Sequence, residues 1–283
     1  MANPPLVNQI LFNRGIIDPA AAESFLAIGP DLAHDPSLLA DMDLAVARIE
    51  RALAAGEMIA VYGDFDADGI CGTAVLVEGL ARLGGNMVSY FPHRVQEGYG
   101  LNTDSLDGLQ AQGVSLVITV DCGISNTGEV EYARRHGLDV IVTDHHNVMS
   151  SMPPALAVVN AKRPDSSYPF SQLAGVGVAY KLLQAVCRAR GHEQGLEEML
   201  DLVAIGTVAD KVPLLDENRS LVHRGLQVLR RTRRPGLRAM METARLEPGY
   251  VDTEAIGWTI GPRLNAPGRL DHAITTYRLI MSA

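Results

Sequence analysis

Short apolar runs alternate with segments of helical spacing from residue 57 onward. The apolar runs at 58–62, 87–91, 116–120, 140–142 and 157–159 predict strands. The segments 69–83, 101–112 and 127–136 predict the helices between them. Because these strands are apolar on both faces, the pattern indicates a doubly wound, mainly parallel α/β sheet with helices on both faces.

The chain on either side of this pattern is predicted to be helical. Residues 1–55 predict helices with polar faces, the last of them capped within Asp41–Asp43. Residues 147–172 are rich in Pro, Ser and Asn and predict a loop. Further helices are expected at 173–190, 196–208, 217–231 and 235–245, with another beginning near the end. We therefore divide the chain into a helical lead-in (1–55), an α/β domain (56–215) and a helical connector (216–283).

Acidic and imidazole side chains follow three of the predicted strands. They are Asp64, Asp66 and Asp68 after the first strand, Asp121 after the third, and Asp144, His145 and His146 after the fourth. Ligands collect at the carboxyl ends of the strands in open parallel sheets, so these side chains are expected to meet at one edge. Without cations they would repel one another. Carboxylates suit Mg²⁺ and Mn²⁺, and the imidazoles favour Mn²⁺, so the pattern predicts a binuclear divalent-metal site.

The first of these motifs, Gly63–Gly69, has two interpretations. Alternate side chains of an extended segment point the same way, so its three aspartates would converge, and Gly69 would let the chain turn into a helix. The alternative is a calcium loop of the helix–loop–helix class. That loop needs a glutamate about six residues after its glycine. Here the first acid after Gly69 is Glu78, and a strand precedes the motif, which disfavours a calcium loop.

Other candidates are ambiguous when each is taken alone. Asp121 could form a simple turn with the residues after it, and 144–146 could begin a helix with two polar loop histidines. Asp210 follows the apolar segment 202–208. An acid in that position is capped, paired with Lys211 or bound to a metal. Only the meeting of several motifs at one sheet edge favours the metal site over these separate alternatives.

Composition narrows the choice of partner and compartment. The net charge of −9 argues against global attraction to nucleic acid. Only three residues are lysine, and seven arginines lie from Arg224 to Arg245, as a phosphate-binding run or a solvated helix surface. The three cysteines include no Cys-x-x-Cys pair, so Cys71 and Cys122 are expected to be packing residues. No signal peptide and no apolar run of about 20 residues occur, which predicts a cytoplasmic protein without a membrane partner.

Seven blocks of the sequence resemble the DHH phosphoesterases and, within them, the RecJ single-strand-specific exonucleases. They are Gly63–Gly69 (GDFDADG), Arg94–Leu101 (RVQEGYGL), Val120–Ser125 (VDCGIS), Val142–His146 (VTDHH), Ala174–Ala179 (AGVGVA), Gly206–Leu214 (GTVADKVPL) and Gly261–Leu270 (GPRLNAPGRL). They occur in the family's order and span about residues 58 to 271. The later blocks point to the RecJ type rather than to the wider superfamily.

The resemblance implies a role for each matched residue. One metal ion would be held by Asp68, Asp121, His145 and Asp210, and a second by Asp64, Asp66 and the shared carboxylate of Asp121. The catalytic group would comprise Asp66, Asp68, Asp121, His145 and His146. His146 would touch the scissile phosphate or orient a ligand, while Asp144 would support the turn. Substrate phosphates would be contacted by Arg94, His146, Arg263, Asn265 and Arg269.

Two features depart from the family pattern. Some relatives have a histidine where this chain has Tyr62, which cannot serve as an imidazole ligand and disfavours a small-molecule pyrophosphatase. RecJ-type enzymes also continue into a second domain with a Gly-Gly-His motif, often followed by an oligonucleotide-binding barrel, and this chain contains no Gly-Gly-His. We therefore expect a truncated form whose activity alone is weak.

The resemblance implies two-metal hydrolysis of phosphodiesters, with nucleotides released from the 5′ end of single-stranded DNA in repair and recombination. Mn²⁺ or Mg²⁺ would be the cofactor, and single-strand-binding protein or a helicase would be partners. One alternative is an enzyme of the same superfamily acting on oligoribonucleotides or cyclic dinucleotides. Another is a non-catalytic replication scaffold, which would be expected to have lost metal ligands that are all present here.

Overall fold

Five parallel strands form the sheet in the computed structural model, which describes residues 4–26, 32–149 and 151–282. They are β1 (Met58–Gly63), β2 (Asn86–Tyr90), β3 (Val114–Val120), β4 (Asp139–Thr143) and β5 (Ala157–Val159), in the order β2-β1-β3-β4-β5. The helices between them are α4 (Ala67–Arg82), α5 (Thr103–Ala111) and α6 (Thr127–Arg135). Strand order reverses between β1 and β3, which is where ligands bind in doubly wound sheets. The predicted fold class is confirmed.

Helices also precede and follow the sheet. Before it come α1 (Pro5–Asn13), α2 (Pro19–Leu26) and α3 (Met42–Ala55). After it come α7 (Gly175–Ala189), α8 (Leu200–Ala209), α9 (Asp216–Leu229), α10 (Pro235–Thr243), the single turn α11 (Thr253–Ala255), α12 (Gly261–Leu270) and α13 (Ile274–Ile280). Short 3₁₀ turns lie at Pro36–Leu38, Leu196–Met199 and Pro248–Tyr250, and a π-helical turn at Ile256–Ile260 precedes α12. Among the described residues, no helix has the length and apolar character needed to cross a membrane.

Alternate residues of each strand face opposite helical layers. In β1, Ile59 and Val61 belong to the core formed with α3, α4, α7 and α8. Ala60 and Tyr62 belong to the smaller core formed with α5 and α6. Both faces of the sheet are therefore buried, as the uninterrupted apolar runs predict.

The N-terminal helix α3 is part of the larger core. Ala45, Ile49 and Ala52 are fully buried in it. Arg48, on the same helix, is paired with Glu57 at 2.6 Å and Asp139 at 2.5 Å. The predicted domain boundary at residue 55 stays a prediction. Within the predicted lead-in, residues 1–3 and 27–31 lie outside the described part of the chain.

Two local features differ from what the sequence indicates. Asp41 is the N-cap residue of α3, but its side chain makes no capping hydrogen bond, because its Oδ2 accepts from the Val158 N–H at 3.0 Å and from Arg163 at 2.5 Å. Helix α12 was not predicted, because its interior contains Pro267, which normally argues against a helix.

The arginine run from Arg224 to Arg245 serves partly as a structural element. Arg224 pairs with Glu197 at 2.6 Å. Arg234 is largely buried and reaches Asp201 at 3.2 Å. Arg234 is thus neither a solvated surface residue nor free to bind phosphate, so neither of the two interpretations of the run applies to it.

Candidate active site

The first motif forms the start of α4 rather than a fully extended segment. Asp66 is the N-cap, and its Oδ1 accepts from the N–H groups of Asp68 at 2.8 Å and Gly69 at 3.1 Å. The expectation that all three aspartates alternate along an extended chain was therefore wrong. Gly69 lies inside the helix, where a Cβ would come within 2.6 Å of the Asp64 carbonyl oxygen. Its role is close packing of α4 against Asp64.

Asp68 is held by the N-terminus of α7. Its Oδ2 accepts from the Gly175 N–H at 2.7 Å and its Oδ1 from the Val176 N–H at 2.9 Å. The positive end of a helix favours an anion in this position. A Cβ at Gly206 of α8 would lie 2.8 Å from Asp68 Oδ1. The AGVGVA and GTVADKVPL blocks thus enclose one carboxylate.

Asp121 follows β3 in a left-handed conformation, with φ of 61°. A residue other than glycine pays about 1 kcal/mol or more for this, and such positions are concentrated at functional sites. The side chain is 2% exposed, and a Cβ at Gly175 would lie 2.7 Å from its Cβ. The N-terminus of α7 therefore approaches Asp68 and Asp121 so closely that only glycine fits there.

Asp144 organises the turn that carries the two histidines. It is fully buried, and its Oδ1 accepts from the N–H groups of His145 at 2.7 Å and His146 at 3.0 Å. Its Oδ2 accepts from the Ile124 N–H at 2.9 Å, and His146 Nδ1 lies 2.8 Å from Oδ1. Burial opposes ionisation, but the hydrogen bond and charge of His146 together with these N–H groups lower the pKa of Asp144. Asp144 is an anion that supports the turn.

The residues from separate elements converge on His145. Its Nε2 lies 3.0 Å from Asp121 Oδ1, 3.7 Å from Asp210 Oδ2 and 4.0 Å from Asp68 Oδ2. Three sets of potential ligand atoms each lie within 4.8 Å of one another: Asp68, His145 and Asp210; Asp64, Asp66 and Asp121; Asp121, His145 and His146. The structure thus brings all six predicted ligands together, and the division between two ions stays a prediction.

The carboxyl groups resist ionisation in the metal-free protein. Burial, with the charge of Asp66, raises the pKa of Asp64 to about 7. The same two causes raise the pKa of Asp210 to about 6. Burial and neighbouring aspartates also raise the pKa values of Asp68 and Asp121 well above their usual range. Such mutual repulsion is relieved when cations bind between the groups.

The two histidines have opposite tendencies. Burial, followed by the charge of His146, lowers the pKa of His145 to about 4, which keeps it a neutral imidazole suited to metal ligation. The hydrogen bond to Asp144 raises the pKa of His146, which is half exposed. His146 is therefore the histidine disposed to carry a proton or to contact an anion.

Buried polar atoms without hydrogen-bond partners indicate what kind of ligand the site could hold. Within the described part of the chain, Asp64 Oδ1, Asp121 Oδ1 and His145 Nε2 are buried without a hydrogen-bond partner, since the last two face each other at 3.0 Å but without hydrogen-bond geometry. Such atoms are costly to leave unpaired. Carboxylate oxygens and an imidazole nitrogen facing one another are the donor set of divalent Mn²⁺ or Mg²⁺, so the residues fit a cation site.

The predicted phosphate-contacting residues occupy different surroundings. Asn265 of α12 accepts from the Ala67 N–H at 2.6 Å, so its oxygen caps α4. Arg94 lies over the Phe65 ring, with Cζ 5.0 Å from the ring centroid. Arg263 and Arg269 are exposed on α12. Their contacts with substrate stay predictions.

Two site residues were missed by reasoning from sequence. The Tyr99 hydroxyl donates to the Asp121 carbonyl at 2.8 Å and lies 3.3 Å from His146 Nδ1. It lines a cavity of about 300 Å³ beside His146. Asn160 is fully buried after β5 and donates to the His146 carbonyl at 2.9 Å. Tyr99 lies in a matched block, but Asn160 carries no signal beyond its place after a strand.

The family model described as the DHH family, N-terminal domain, matches residues 58–207, just over half of the chain. The chain belongs to the DHH family. Among curated proteins, this DHH chain is 41% identical to the single-stranded-DNA-specific exonuclease RecJ of Bacillus subtilis over 278 residues. That match covers 98% of this chain and 35% of the relative. The Escherichia coli RecJ is 40% identical, with 95% of this chain and 48% of the relative covered.

Solved structures agree with this assignment. The DHH chain matches a crystal structure of exonuclease RecJ bound to manganese with a TM-score of 0.78 and 39% identity, covering 86% of this chain and 61% of that one. It matches RecJ from Thermus thermophilus in complex with Mn²⁺ with a TM-score of 0.81 and 33% identity, covering 100% of this chain and 42% of that one. The DHH chain thus spans about a third to a half of its curated relatives, and the resemblance drawn from its motifs is confirmed.

Binding of Mn²⁺ to this DHH chain is expected to weaken as pH falls from about 8 to about 5. Protons compete for the carboxylates of Asp64 (pKa about 7) and Asp210 (pKa about 6), whereas His145 (pKa about 4) stays neutral over this range. Since both carboxyl pKa values are raised, the ionised forms that bind cations are populated only towards higher pH. Calorimetric titration with Mn²⁺ at several pH values measures this. An affinity independent of pH would contradict it.

Proposed function

We propose that this DHH chain forms the metal-binding catalytic part of a Mn²⁺- or Mg²⁺-dependent phosphodiesterase that removes nucleotides from the 5′ end of single-stranded DNA. The observation that carries the proposal is the meeting of Asp68, Asp121, His145 and Asp210 from four elements around buried atoms without partners. The substrate rests on the relatives, which are named single-stranded-DNA-specific exonucleases, and the 5′ polarity is taken over from the RecJ resemblance of the motifs.

The candidate ligands of this chain would be divided between two metal ions. Asp68, Asp121, His145 and Asp210 would hold one ion, and Asp64 and Asp66 would hold the second with Asp121 between them. When bound, such ions lower the pKa of water, polarise the phosphoryl oxygens and stabilise in-line displacement. No nucleophilic side chain is required. Cys71 and Cys122 are buried, as expected of packing residues.

The residues around the ions would position the substrate. Asp144 fixes the orientation of His146, whose raised pKa suits contact with a phosphate oxygen or protonation of the leaving oxygen. Arg94 would approach a neighbouring phosphate from its place over Phe65. The cavity beside His146, lined by Tyr99, would receive the end of the DNA strand. Burial holds the carboxyl side chains in fixed positions before the substrate arrives.

The proposal extends to the setting of the reaction. A role in DNA repair and recombination, a cytoplasmic location, and single-strand-binding protein or a helicase as partners are taken over from the RecJ resemblance.

The proposed function is tested by the products of cleavage. Single-stranded DNA labelled at the 5′ end should release labelled nucleotide in Mn²⁺, whereas the same strand labelled at the 3′ end should shorten progressively without early release. A blunt duplex, an oligoribonucleotide and a cyclic dinucleotide serve as comparison substrates and should be cleaved much more slowly. Preferred hydrolysis of the cyclic dinucleotide or of an oligoribonucleotide would overturn the DNA assignment. Absence of Mn²⁺ binding by calorimetry would instead favour a scaffold.

A further inference from the structure

A tight turn follows β5 at the same edge of the sheet as the candidate site. β5 runs parallel to β4 with Val159 opposite Thr143, so Asn160–Arg163 lies beside the turn that carries the histidines. The Asn160 side chain donates to the His146 carbonyl at 2.9 Å and accepts from the Lys162 N–H at 2.8 Å. The backbone of Lys162 is thereby tied to His146 through one buried side chain.

The two cations of this turn have different partners. Arg163 is buried and paired with Asp41 at 2.5 Å and Asp165 at 2.7 Å. Lys162 is partly buried as a residue, and within the described ranges no carboxylate lies within ion-pair distance of its ammonium. Its charge is thus not engaged by a carboxylate of the described chain. Lys162 therefore suits an anion that arrives with the substrate.

The charge of Lys162 reaches the site. The Lys162 ammonium interacts electrostatically with Asp210, His145 and His146. These interactions agree with the place of the turn beside the histidines.

Charge balance supplies a reason for a cation here. Five carboxylates surround the proposed ions: Asp64, Asp66, Asp68, Asp121 and Asp210. Two divalent cations would leave one net negative charge, so a phosphodiester would still meet repulsion. A lysine ammonium is a compact point charge that binds phosphate oxygens through rotatable donors.

We propose that Lys162 binds a non-bridging phosphate oxygen of the substrate next to the metal ions, with its direction set by Asn160 and Arg163. The proposal rests on the proposed function, since it names a further residue of the same site. It assigns Lys162 to substrate contact and Asn160 to positioning both Lys162 and His146. Bond cleavage itself is left to the ions and their ligands.

The test compares Lys162→Gln with Lys162→Arg and with Lys211→Gln. Lys211 is exposed beside Asp210 and provides the matched loss of one lysine charge. Lys162→Gln should lower kcat/KM for single-stranded DNA about 10- to 100-fold at low salt, the range for losing one charged hydrogen bond. Lys162→Arg should retain most of the activity, and Lys211→Gln should change it little. Mn²⁺ affinity should be unchanged or slightly higher in Lys162→Gln, since a cation near the ligands is removed.

The salt dependence of DNA binding separates a phosphate contact from a structural role. With Ca²⁺ replacing Mn²⁺, the slope of log affinity against log salt should become shallower by about 0.7 in Lys162→Gln, the value for one contact to a single strand. An unchanged slope, or a loss of activity explained by a lower melting temperature, would overturn the Lys162 proposal. It would leave the proposed function intact as long as the unsubstituted chain cleaves DNA. If the unsubstituted chain binds DNA but does not cleave it, the proposed function fails, and a shallower slope would still support Lys162.

Discussion

Replacing Asp121 by asparagine is expected to reduce Mn²⁺-dependent cleavage by about 10³-fold or more, the effect of losing several kcal/mol of metal-based stabilisation. Asp121 belongs to two of the three potential ligand sets, so its charge is shared between the proposed ions. Asparagine keeps the size of the side chain and tolerates the left-handed backbone found at this position. The substitution therefore removes the charge without adding backbone strain.

Stability measurements distinguish this effect from misfolding. Burial raises the pKa of Asp121 well above its usual range, so the metal-free protein already favours the neutral group that asparagine imitates. We expect the melting temperature without metal to stay the same or rise, and the stabilisation by added Mn²⁺ to shrink. Asp43→Asn, which removes an exposed carboxylate from α3, is the control and should retain full activity. Undiminished cleavage by Asp121→Asn would contradict the assignment of this site.

Lys181→Met is expected to lower the free energy of unfolding by about 3–5 kcal/mol, the range for breaking a buried ion pair. Lys181 on α7 and Glu217 on α9 are 1% and 0% exposed, with Nζ 2.8 Å from Oε1. Lys181 also donates to the His34 carbonyl, and the Tyr168 hydroxyl donates to Glu217. Methionine fills a similar volume but leaves Glu217 buried without its counter-ion.

Urea unfolding measures the loss in the free energy of unfolding, and two further variants serve as comparisons. Lys181→Met combined with Glu217→Gln removes the stranded charge and should recover part of the stability. Arg82→Met breaks the exposed pair with Glu78 and should cost about 0.5 kcal/mol or less. A loss in Lys181→Met as small as that in Arg82→Met would show that the buried pair contributes little.

The sheet and the meeting of the candidate ligands at one edge could be predicted from the pattern of apolar strands and from chain direction. Apolar runs mark buried parallel strands, and chain direction places the residues after β1, β3 and β4 at one edge. Asp64, Asp121 and His145 therefore follow from sequence order alone. For Asp210 the sequence left three interpretations open. The structure places its Oδ2 3.7 Å from His145 Nε2, beside the other candidate ligands.

The supporting contacts could not be predicted, because they join residues far apart in sequence without any period. The N–H groups of α7 that hold Asp68 come from 107 and 108 positions away. Asn160 and Tyr99 act through single hydrogen bonds, which leave no pattern of apolar and polar positions. The capping role of Asp66 was missed because its Asp-x-Asp spacing also suits an extended strand end.

The contact between α12 and the first motif shows that the candidate site depends on residues beyond the end of the family model. Asn265 caps α4, and Gly268 packs so closely on Phe65 that a Cβ would lie 2.5 Å from its carbonyl oxygen. The family match ends at residue 207, yet these two contacts lie about sixty residues further along. A boundary drawn at the end of the family model would therefore separate the first motif from one of the elements that pack against it. Helix α12 therefore belongs to the structural unit of the candidate site although it lies far from the first motif in the sequence, and engineering that exchanges neighbouring segments should keep it with the sheet.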